Sequence, residues 1–540
     1  MVLKKAPCLF GSAILLGLLL AVAGILLLIG VPIDGIVNRQ VVGQDFLGYT
    51  RDENGTEHVN KMTESWLKPP YKMQLNIWMY NVTNVNGILK RHEKPNLNEI
   101  GPFVFDEIQE KIYHKWSAND TRVLYKNKKL YFFNRNLSCS NCDLSQKITI
   151  PNVVFQKLVD AADTTIFGIR IKFAIENVLK FVSEAPYITV KVSDALFDGY
   201  EDPIVDLVCK NKILSFLCET NTLQKRIGFF YGQNGTTDGI YEVDTGRPSP
   251  MNIGHLYTWN NLTIMPEGTW DTVAARMING TDGQLFSPML RRENRLSIFV
   301  PQICRSIQME YQKDVAVSGV PSWRFVPPLD LYDPKRPENR GFCNKNGVPR
   351  YFENTTVQIE NCLPAGLIDL SRCQAGSPRV YLSNPHFYNS PMELWHAVTG
   401  LSVPSANNDL TTVDLEPTAG VPTQAKRIMQ INVGMVKGSL SITENTTNVI
   451  VPVLWMNETA DFDQGTRDQL IQIFNAKHYS FIGGVVSLSL GLIAWMAVFV
   501  VVFVYSRQTE EEEYSRLVLD EDEVETTDAP PQEQENQNLA

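Results

Sequence analysis

APCLFGSAILLGLLLAVAGILLLIGVPI, residues 6–33, decides how the rest of the chain is arranged, because these 28 residues carry no charge. A helix of about 20 apolar residues crosses a bilayer core, so the run is long enough to span a membrane. Lys4 and Lys5 precede it and Asp34 follows it. The positive-inside rule then favours a cytosolic N-terminus over residues 1–7 and a transmembrane helix over residues 8–33.

A cleaved signal peptide is the alternative interpretation of this first run. Ala21-Val22-Ala23 resembles a small-residue cleavage site that follows a short apolar core. The apolar stretch continues for ten residues beyond Ala23. That continuation favours an anchor that stays uncleaved.

A second run, residues 479–506, is also 28 residues long and uncharged, and it predicts a second transmembrane helix. Two spans place both termini in the cytosol and residues 34–478 on the other side, as a lumenal or extracellular domain. The remaining residues, 507–540, hold two basic and twelve acidic side chains. That composition predicts a disordered, solvated acidic tail.

Glycosylation sequons agree with this two-pass topology. Ten Asn-x-Ser/Thr motifs occur in the predicted loop and none in either tail. Single sequons are weak signals, but their confinement to one segment favours a lumenal or extracellular location for it. The predicted glycosylation sites are Asn54, Asn81, Asn119, Asn136, Asn234, Asn261, Asn279, Asn354, Asn445 and Asn457.

Charge and motifs exclude several classes of function. The loop is close to neutral once the acidic tail is set apart, which gives no case for nucleic-acid binding. No GxSxG, P-loop, HExxH or GxGxxG motif is present, so we predict neither an enzyme nor a bound cofactor or metal. A two-span ion channel shares the topology, but the two runs have essentially no polar stripe that could line a pore.

The nine cysteines divide between the first span and the loop. Cys8, at the cytosolic edge of the first span, is either a palmitoylation site or an inert thiol. Eight cysteines in an oxidising compartment predict four disulfides, local or crossed. Zinc is the rival for Cys139-x-x-Cys142, but no second pair of ligands completes a site. The eight are Cys139, Cys142, Cys209, Cys218, Cys304, Cys343, Cys362 and Cys373.

Short apolar runs with a period of two predict a β-rich loop. Met73, Leu75, Ile77 and Met79 alternate with other residues, as expected of a half-buried strand. Gly, Pro and Asn separate similar runs, which together favour a largely antiparallel core. These runs are Leu130–Phe133, Ile227–Tyr231, Leu296–Val300, Met429–Val433 and Val449–Trp455.

Residues 151–220 break this pattern with a helical period. One predicted helix face carries Phe167, Ile171, Ala174, Ile175, Val178, Phe181 and Val182. Asp202 is typical of an N-cap with Pro203 at the first helical position. Ile169 and Phe173 lie off the stripe, where they either form an exposed contact patch or pack against a neighbouring helix; we expect packing.

From Met277 to Gly283, MINGTDG, the chain becomes recognisable, and further blocks follow the same family order. With both spans, they make nearly the whole chain resemble the CD36 family, the class B scavenger receptors and LIMP-2-like lysosomal membrane proteins. The other blocks are Gly199–Pro203, Phe229–Gly239, Ile303–Ser306, Pro385–Phe387, Asp414–Gly420, Ala425–Arg427 and Pro452–Glu458.

The resemblance implies an α+β fold: a large antiparallel β-barrel-like ectodomain with a helical apex bundle and an apolar tunnel, flanked by two transmembrane helices. It also implies that Cys304 pairs with Cys373 and Cys343 with Cys362. The other four cysteines have no assigned family counterpart. Pairing of Cys209 with Cys218 would link elements of the apex.

The resemblance further implies a receptor that binds lipids or lipoproteins at the apex and passes lipid through the tunnel to the membrane. The ligands expected are a fatty acid, a sterol or a phospholipid. The alternative is a LIMP-2-like trafficking receptor for a protein cargo. A second copy of the chain, as a homo-oligomer, is a further candidate partner.

Expected ligand contacts at the apex are Ile169, Phe173, Lys180 and Glu184. Glu184 stands where the family's fatty-acid receptor has a lysine. Residues 151–230 contain no histidine, so the histidine pH switch of the LIMP-2-like branch does not carry over.

The tail contains an endocytic sorting motif. Tyr514-Ser515-Arg516-Leu517 fits the YxxΦ pattern that clathrin adaptors bind. It predicts cycling between the plasma membrane and endosomes or lysosomes.

Overall fold

The computed structural model describes residues 6–33, 35, 47–164, 168–220, 223–247, 249–344, 347–374 and 376–525. Side chains are described within these ranges except at residues 6–10, 473 and 517–525. The chain divides into two compact units. One holds Met1–Asn38 with Gln472–Ala540, and the other holds Arg39–Ile471.

The described residues form seventeen β-strands. In chain order they are β1 Tyr49–Arg51, β2 Glu57–Val59, β3 Lys72–Val82, β4 Leu97–Ser117, β5 Arg122–Phe133, β6 Lys147–Pro151, β7 Tyr187–Lys191, β8 Thr237–Asp244, β9 Leu256–Trp259, β10 Leu296–Val300, β11 Arg305–Val317, β12 Val320–Val326, β13 Ile368–Asp369, β14 Val380–Ser383, β15 Thr412–Glu416, β16 Val421–Met435 and β17 Val449–Asp461.

Helices are fewer and mostly short. They are α1 Ala6–Leu28, α2 Lys61–Leu67, α3 Val85–Arg91, α4 Val153–Asp163, α5 Gly168–Phe181, α6 Pro203–Lys210, α7 Phe216–Glu219, α8 Val273–Arg276, α9 Met392–His396, α10 Ala406–Asp409 and α11 Gln464–Glu525.

One large antiparallel sheet of thirteen strands forms the core of the Arg39–Ile471 unit. Its order is β10-β11-β12-β15-β16-β17-β3-β4-β5-β8-β9, with β13 and β14 joined to it through β16. Leu75, Ile77 and Met79 alternate with less buried residues along β3, as their period of two predicts. Their inward side chains build the main apolar core with those of β4, β16 and β17.

One predicted strand is wrong. Residues 227–231 form a turn, and only Ile227 makes an isolated bridge, to Tyr200. The amides of Phe229 and Phe230 donate to the carbonyls of Ala195 and Leu196 in a short π-helical turn. The apolar run therefore satisfies its backbone without a neighbouring strand.

The sheet does not close into a barrel, so the barrel-like fold expected from the resemblance is only partly present. β9 and β10 end the strand order and do not pair with each other in the described chain. Gly280 and Thr281 lie between them: Leu256 N donates to Gly280 O at 2.8 Å and Thr281 N donates to Ser297 O at 2.9 Å. Gly280 has a φ of +90°, and a Cβ there would overlap Ser297 O.

Helices α4 to α7 lie within residues 151–220, and β7, which pairs antiparallel with β6, separates α5 from α6. Helices α4 to α7 share one apolar cluster that includes Phe155, Ile175 and Leu179. Asp202 caps α6, because its Oδ1 accepts from Ile204 N at 3.0 Å.

The predicted apolar stripe of α5 needs correction. Phe181 is 83% exposed, and Ile169 and Phe173 are 69% and 58% exposed, so the expected packing against a neighbouring helix is wrong. Phe181 follows Ile175 by six residues, which turns it about 120° away from the centre of the buried face. Leu179, outside the predicted stripe, is buried in its place. Phe167 lies outside the described residues.

The unit that holds the chain termini contains α1 and α11 from Gln472 onwards, two helices long and apolar enough to cross a membrane by length and composition. They contact each other directly: Ser487 Oγ donates to Leu20 O at 2.8 Å, and Trp495 Nε1 donates to Ile14 O at 3.3 Å. Small residues permit this close approach, as is typical of membrane helices. They are Gly17, Gly24, Gly484 and Gly491.

Helix α11 continues to Glu525, so residues 507–525 are helical although their composition predicts disorder. The run of glutamates from Glu510 to Glu513 consists of good helix formers, which lets the preceding helix propagate. The rest of the predicted tail, residues 526–540, lies outside the described residues.

Candidate ligand-binding site

Two cavities lie beside the inner face of the large sheet. The larger, of about 440 Å³, is lined by side chains of β3, β16, β17 and the first turn of α4. Cavities of roughly 300–1,000 Å³ lined by apolar side chains commonly hold small ligands. Its apolar wall includes Leu75, Met429, Ile431, Met456, Val153 and Val154.

The smaller cavity, of about 270 Å³, adjoins the start of β3 and the end of β17. Met73, Ile307 and Phe462 give it an apolar wall, and Tyr71 lies beside them. Both cavities have Asn127, Lys129, Asp238, Gln302, Arg427 and Met429 in their linings. The two therefore meet at one common wall.

Four charged side chains stand at or behind that common wall, and we call Glu107, Lys129, Arg427 and Glu458 the charged cluster. Lys129 Nζ lies 2.7 Å from Glu458 Oε1 and 2.8 Å from Glu107 Oε1. The Arg427 guanidinium donates to Glu458 Oε2. Neighbouring strands β16 and β17 place Arg427 directly opposite Glu458.

The two carboxyl groups of the charged cluster differ in their affinity for a proton. Burial and the neighbouring Glu458 raise the pKa of Glu107 above its ordinary value. Burial alone would raise the pKa of Glu458, but Arg427 and Lys129 lower it to about 2. Glu458 is therefore the ionised partner of the cations, and Glu107 takes up a proton more readily.

Sequence analysis missed the charged cluster, because it joins residues of β4 and β5 to residues of β16 and β17, and Lys129 and Glu458 are 329 residues apart in the chain. One signal was present. Glu458 continues the inward-facing alternation of Leu454 and Met456 along β17, and those two residues are 0% and 2% exposed. A charged residue at such a position predicts a buried partner.

The four predicted apical contacts do not form a single site. Ile169 and Phe173 project from the exposed side of α5, whereas Lys180 donates to Glu176 at 2.8 Å, one turn earlier in the same helix. Glu184 turns towards the helical region, where Asn152 Nδ2 donates to its Oε1 at 2.5 Å.

Burial and the nearby Asp202 raise the pKa of Glu184 to about 7. Asn152 links the two carboxyl groups, since its Nδ2 also lies 3.4 Å from Asp202 Oδ2. In the described part of the helical region, the group with a pKa near neutral is therefore Glu184, in a cluster with Asn152 and Asp202, and is not a histidine.

Four disulfides join the eight loop cysteines. Cys304 pairs with Cys373 and Cys343 with Cys362, as the resemblance implies. The remaining four pair locally, Cys139 with Cys142 and Cys209 with Cys218. The latter bridge joins α6 to α7.

The other predicted sites lie mostly at the surface. Eight of the ten sequon asparagines are exposed, whereas Asn81 and Asn457 are half-buried. Tyr514 is 72% exposed on α11. The side chains of Leu517 and Cys8 lie outside those that the structure describes.

Comparisons with known proteins place the chain in a family. Mouse lysosome membrane protein 2 is 30% identical over 471 residues, which cover 87% of this chain and 89% of that protein. The human protein of the same name is 29% identical, with the same coverage. Mouse scavenger receptor class B member 1 is 27% identical over 448 residues, 82% of this chain and 79% of that protein. The model of the CD36 family matches residues 15–502, and the chain therefore belongs to the CD36 family.

Proposed function

We propose that this protein is a class B scavenger-type receptor that binds lipid in the two cavities and passes it to the membrane in which α1 and α11 anchor it. The observation that carries the proposal is the pair of apolar-walled cavities with a common wall. Joined through that wall, they would form the tunnel that the resemblance implies.

Physical chemistry supports lipid as the cargo. Each CH₂ group kept out of water gains about 0.8 kcal/mol, so a free acyl chain or sterol crosses water at a high cost. A protein-lined route lowers that barrier. Two membrane anchors, one at each end of the receptor domain, would hold such a route near the bilayer.

Lipid analysis of the purified full-length protein tests the proposal. Mass spectrometry of the protein in detergent should find fatty acid, sterol or phospholipid in stoichiometric amount. Met429 lines both cavities, so the larger side chain of Met429→Trp should fill the space beside their common wall and abolish the bound lipid. Met392→Trp is the matched control, because Met392 is 52% exposed. A folded wild-type protein without lipid would contradict the proposal.

A trafficking receptor for a protein cargo is the second candidate. Ile169, Phe173 and Phe181 are exposed apolar side chains on one helix, which suits a protein partner. Ile169→Ser combined with Phe173→Ser should abolish cargo capture in pull-downs at pH 7 and pH 5 and leave bound lipid unchanged. Loss of lipid with retained cargo would favour the opposite assignment.

We further propose two-pass topology with both termini cytosolic, and cycling between the plasma membrane and endosomes or lysosomes. Tyr514→Ala should raise the surface level and slow uptake, because adaptors require the tyrosine of YxxΦ. Ser515→Ala changes an unspecified position of the same motif and should have no effect. Unchanged uptake in the Tyr514 variant would refute adaptor-driven cycling.

A further inference from the structure

We propose that Lys129 and Arg427 bind the anionic headgroup, carboxylate or phosphate, of a long-chain amphiphile at the wall shared by the two cavities. This inference rests on the lipid-binding function proposed above and adds a headgroup preference to it. The alkyl chain would lie along the apolar wall of the larger cavity, beside Leu75, Ile431 and Met456.

The cations of the charged cluster face both cavities, whereas its acids do not face the larger one. Arg427 and Lys129 keep 33% and 17% of their side-chain surface accessible, and both line both cavities. Glu458 keeps 10% and lines the smaller cavity only, and Glu107 keeps 0% and lines neither. A ligand in the larger cavity that reaches this wall therefore meets the two cations of the cluster with its two carboxylates behind them.

Unsatisfied polar atoms surround the same position. Asn127 lines both cavities and is 5% exposed, yet its Oδ1 has no hydrogen-bond partner among the described residues. Arg427 Nε likewise lacks an acceptor within the described chain. Asp238, which also lines both cavities, has a third such atom, its Oδ1. Buried polar atoms are almost always paired, so these unpaired ones at one wall indicate a missing partner. An anionic headgroup would accept from Arg427 Nε, and rotation of the Asn127 amide would direct Nδ2 to it.

Charge balance favours an anion over a neutral group. Burial and the neighbouring Glu458 raise the pKa of Glu107, so in the form with Glu107 protonated Lys129 and Arg427 have Glu458 as their one ionised partner within the charged cluster. Asp238, on β8, is the one acid among the described residues that lines both cavities, and burial raises its pKa too. A buried net charge is costly, so a bound anion would compensate it.

Matched lipids test the inference on purified full-length protein. The binding of tritiated oleate is compared with that of tritiated oleyl alcohol, a lipid with the same chain and a neutral headgroup. Wild type should bind oleate about tenfold more tightly, the gain expected of charge-assisted hydrogen bonds. Lys129→Met with Glu107→Gln removes a cation without stranding a carboxylate, and should bind both lipids equally. Glu107→Gln alone is the control and should keep the preference.

Each outcome decides between the two proposals. Equal binding of both lipids by wild type, or a preference retained in the double variant, would overturn the headgroup site and leave lipid binding intact. If wild type binds neither, the lipid function itself fails. If the double variant loses the alcohol too, its fold has changed, and Arg427→Gln with Glu458→Gln then decides by the same criterion. Lysophosphatidate with an oleoyl chain distinguishes a phosphate from a carboxylate headgroup. If the Lys129 variant weakens binding of lysophosphatidate alone, the site binds a phosphate; if it weakens binding of oleate alone, the site binds a carboxylate.

Discussion

His386 is held between two carboxylates in the sheet unit. Its Nδ1 lies 3.0 Å from Asp409 Oδ1 and its Nε2 lies 3.4 Å from Glu99 Oε2. Burial alone would lower the pKa of His386, but hydrogen bonds to Asp409 and Glu99 raise it to about 9. The stability that the charged imidazole contributes is fully present below pH 6.5 and is lost as the pH rises through 9.

His386→Gln should therefore remove pH dependence as well as stability. We expect the free energy of unfolding to fall by about 2 kcal/mol at pH 6, and by less at pH 9.5, where the wild-type imidazole is neutral as well. Thermal unfolding of both proteins across this pH range measures the difference. His396→Gln, at an exposed position, is the control. Parallel pH profiles for His386→Gln and wild type would contradict the ion-pair assignment.

Glu184 is an acid, and it is neutral when protonated, but like His386 it favours the folded state more at low pH than at high pH. Because its pKa is raised to about 7, the folded state holds the proton more tightly, and ionisation destabilises the fold as the pH rises from 4.5 to 7. Glu184→Gln should raise stability at pH 7.5 by about 1 kcal/mol, after allowance for solvent screening of a half-exposed group. At pH 4 it should change nothing. Glu219→Gln, exposed on α7, is the comparison, and destabilisation by Glu184→Gln at pH 7.5 would refute the argument.

At the scale of elements, the contact between α1 and α11 depends on small residues. A Cβ at Gly24 would lie 2.6 Å from Leu488 N and 2.9 Å from Gly484 O, so a larger side chain must separate the helices. Gly11, on the same helix, has no atom within 4 Å of its Cβ position. Gly24→Leu should disrupt the contact, and Gly11→Leu should not.

Disulfide crosslinking between Leu20→Cys and Ser487→Cys, in a background without Cys8, reports the contact directly. Leu20 O accepts from Ser487 Oγ at 2.8 Å, which places the two positions side by side. We expect a several-fold loss of crosslinked product in Gly24→Leu. Equal crosslinking in both leucine variants would mean that the glycines do not set the helix separation.

Sequence periodicity predicted the strands better than the buried face of the helix α5. The alternation of Met73 to Met79 gave β3, because a strand inside a sheet has only two faces. On α5 the same reasoning placed Phe181 inside, since a helix presents a continuous circumference whose buried arc depends on the helices packed against it. The charged cluster required a contact between residues 329 positions apart, Lys129 and Glu458, which no local pattern encodes.

At the scale of the whole molecule, groups in two separate regions make the fold more stable at acidic pH. His386 lies against the sheet and Glu184 in the helical region, and both contribute more stability below neutral pH than above it. A receptor that cycles through endosomes or lysosomes meets such a pH. The folded unit should therefore have a higher apparent Tm at pH 5 than at pH 8.5, and the His386 and Glu184 variants should each reduce that difference.

Glycan occupancy tests topology and fold together. Eight sequon asparagines are exposed, and all lie between the two apolar helices. Asn81 Oδ1 accepts from Thr149 N at 2.8 Å, and Asn457 Oδ1 is buried on β17 between β16 and β3. Both side chains are half-buried on strands inside the sheet, so a glycan on Nδ2 of either would have to displace its neighbours. Enzymatic deglycosylation in ¹⁸O-water should therefore label the eight exposed asparagines and neither Asn81 nor Asn457.

Two variants sharpen the glycan count. Asn354→Gln removes an exposed site and should lower the number of labelled positions by one, whereas Asn81→Gln should leave it unchanged. Label at Asn81 or Asn457 would contradict the structure of β3 and β17, because a glycosylated asparagine must reach solvent. A complete absence of label would instead contradict the topology, since glycosylation requires the loop to enter the secretory lumen. The two failures are therefore distinct, and one experiment separates an error in the fold from an error in the placement of the membrane.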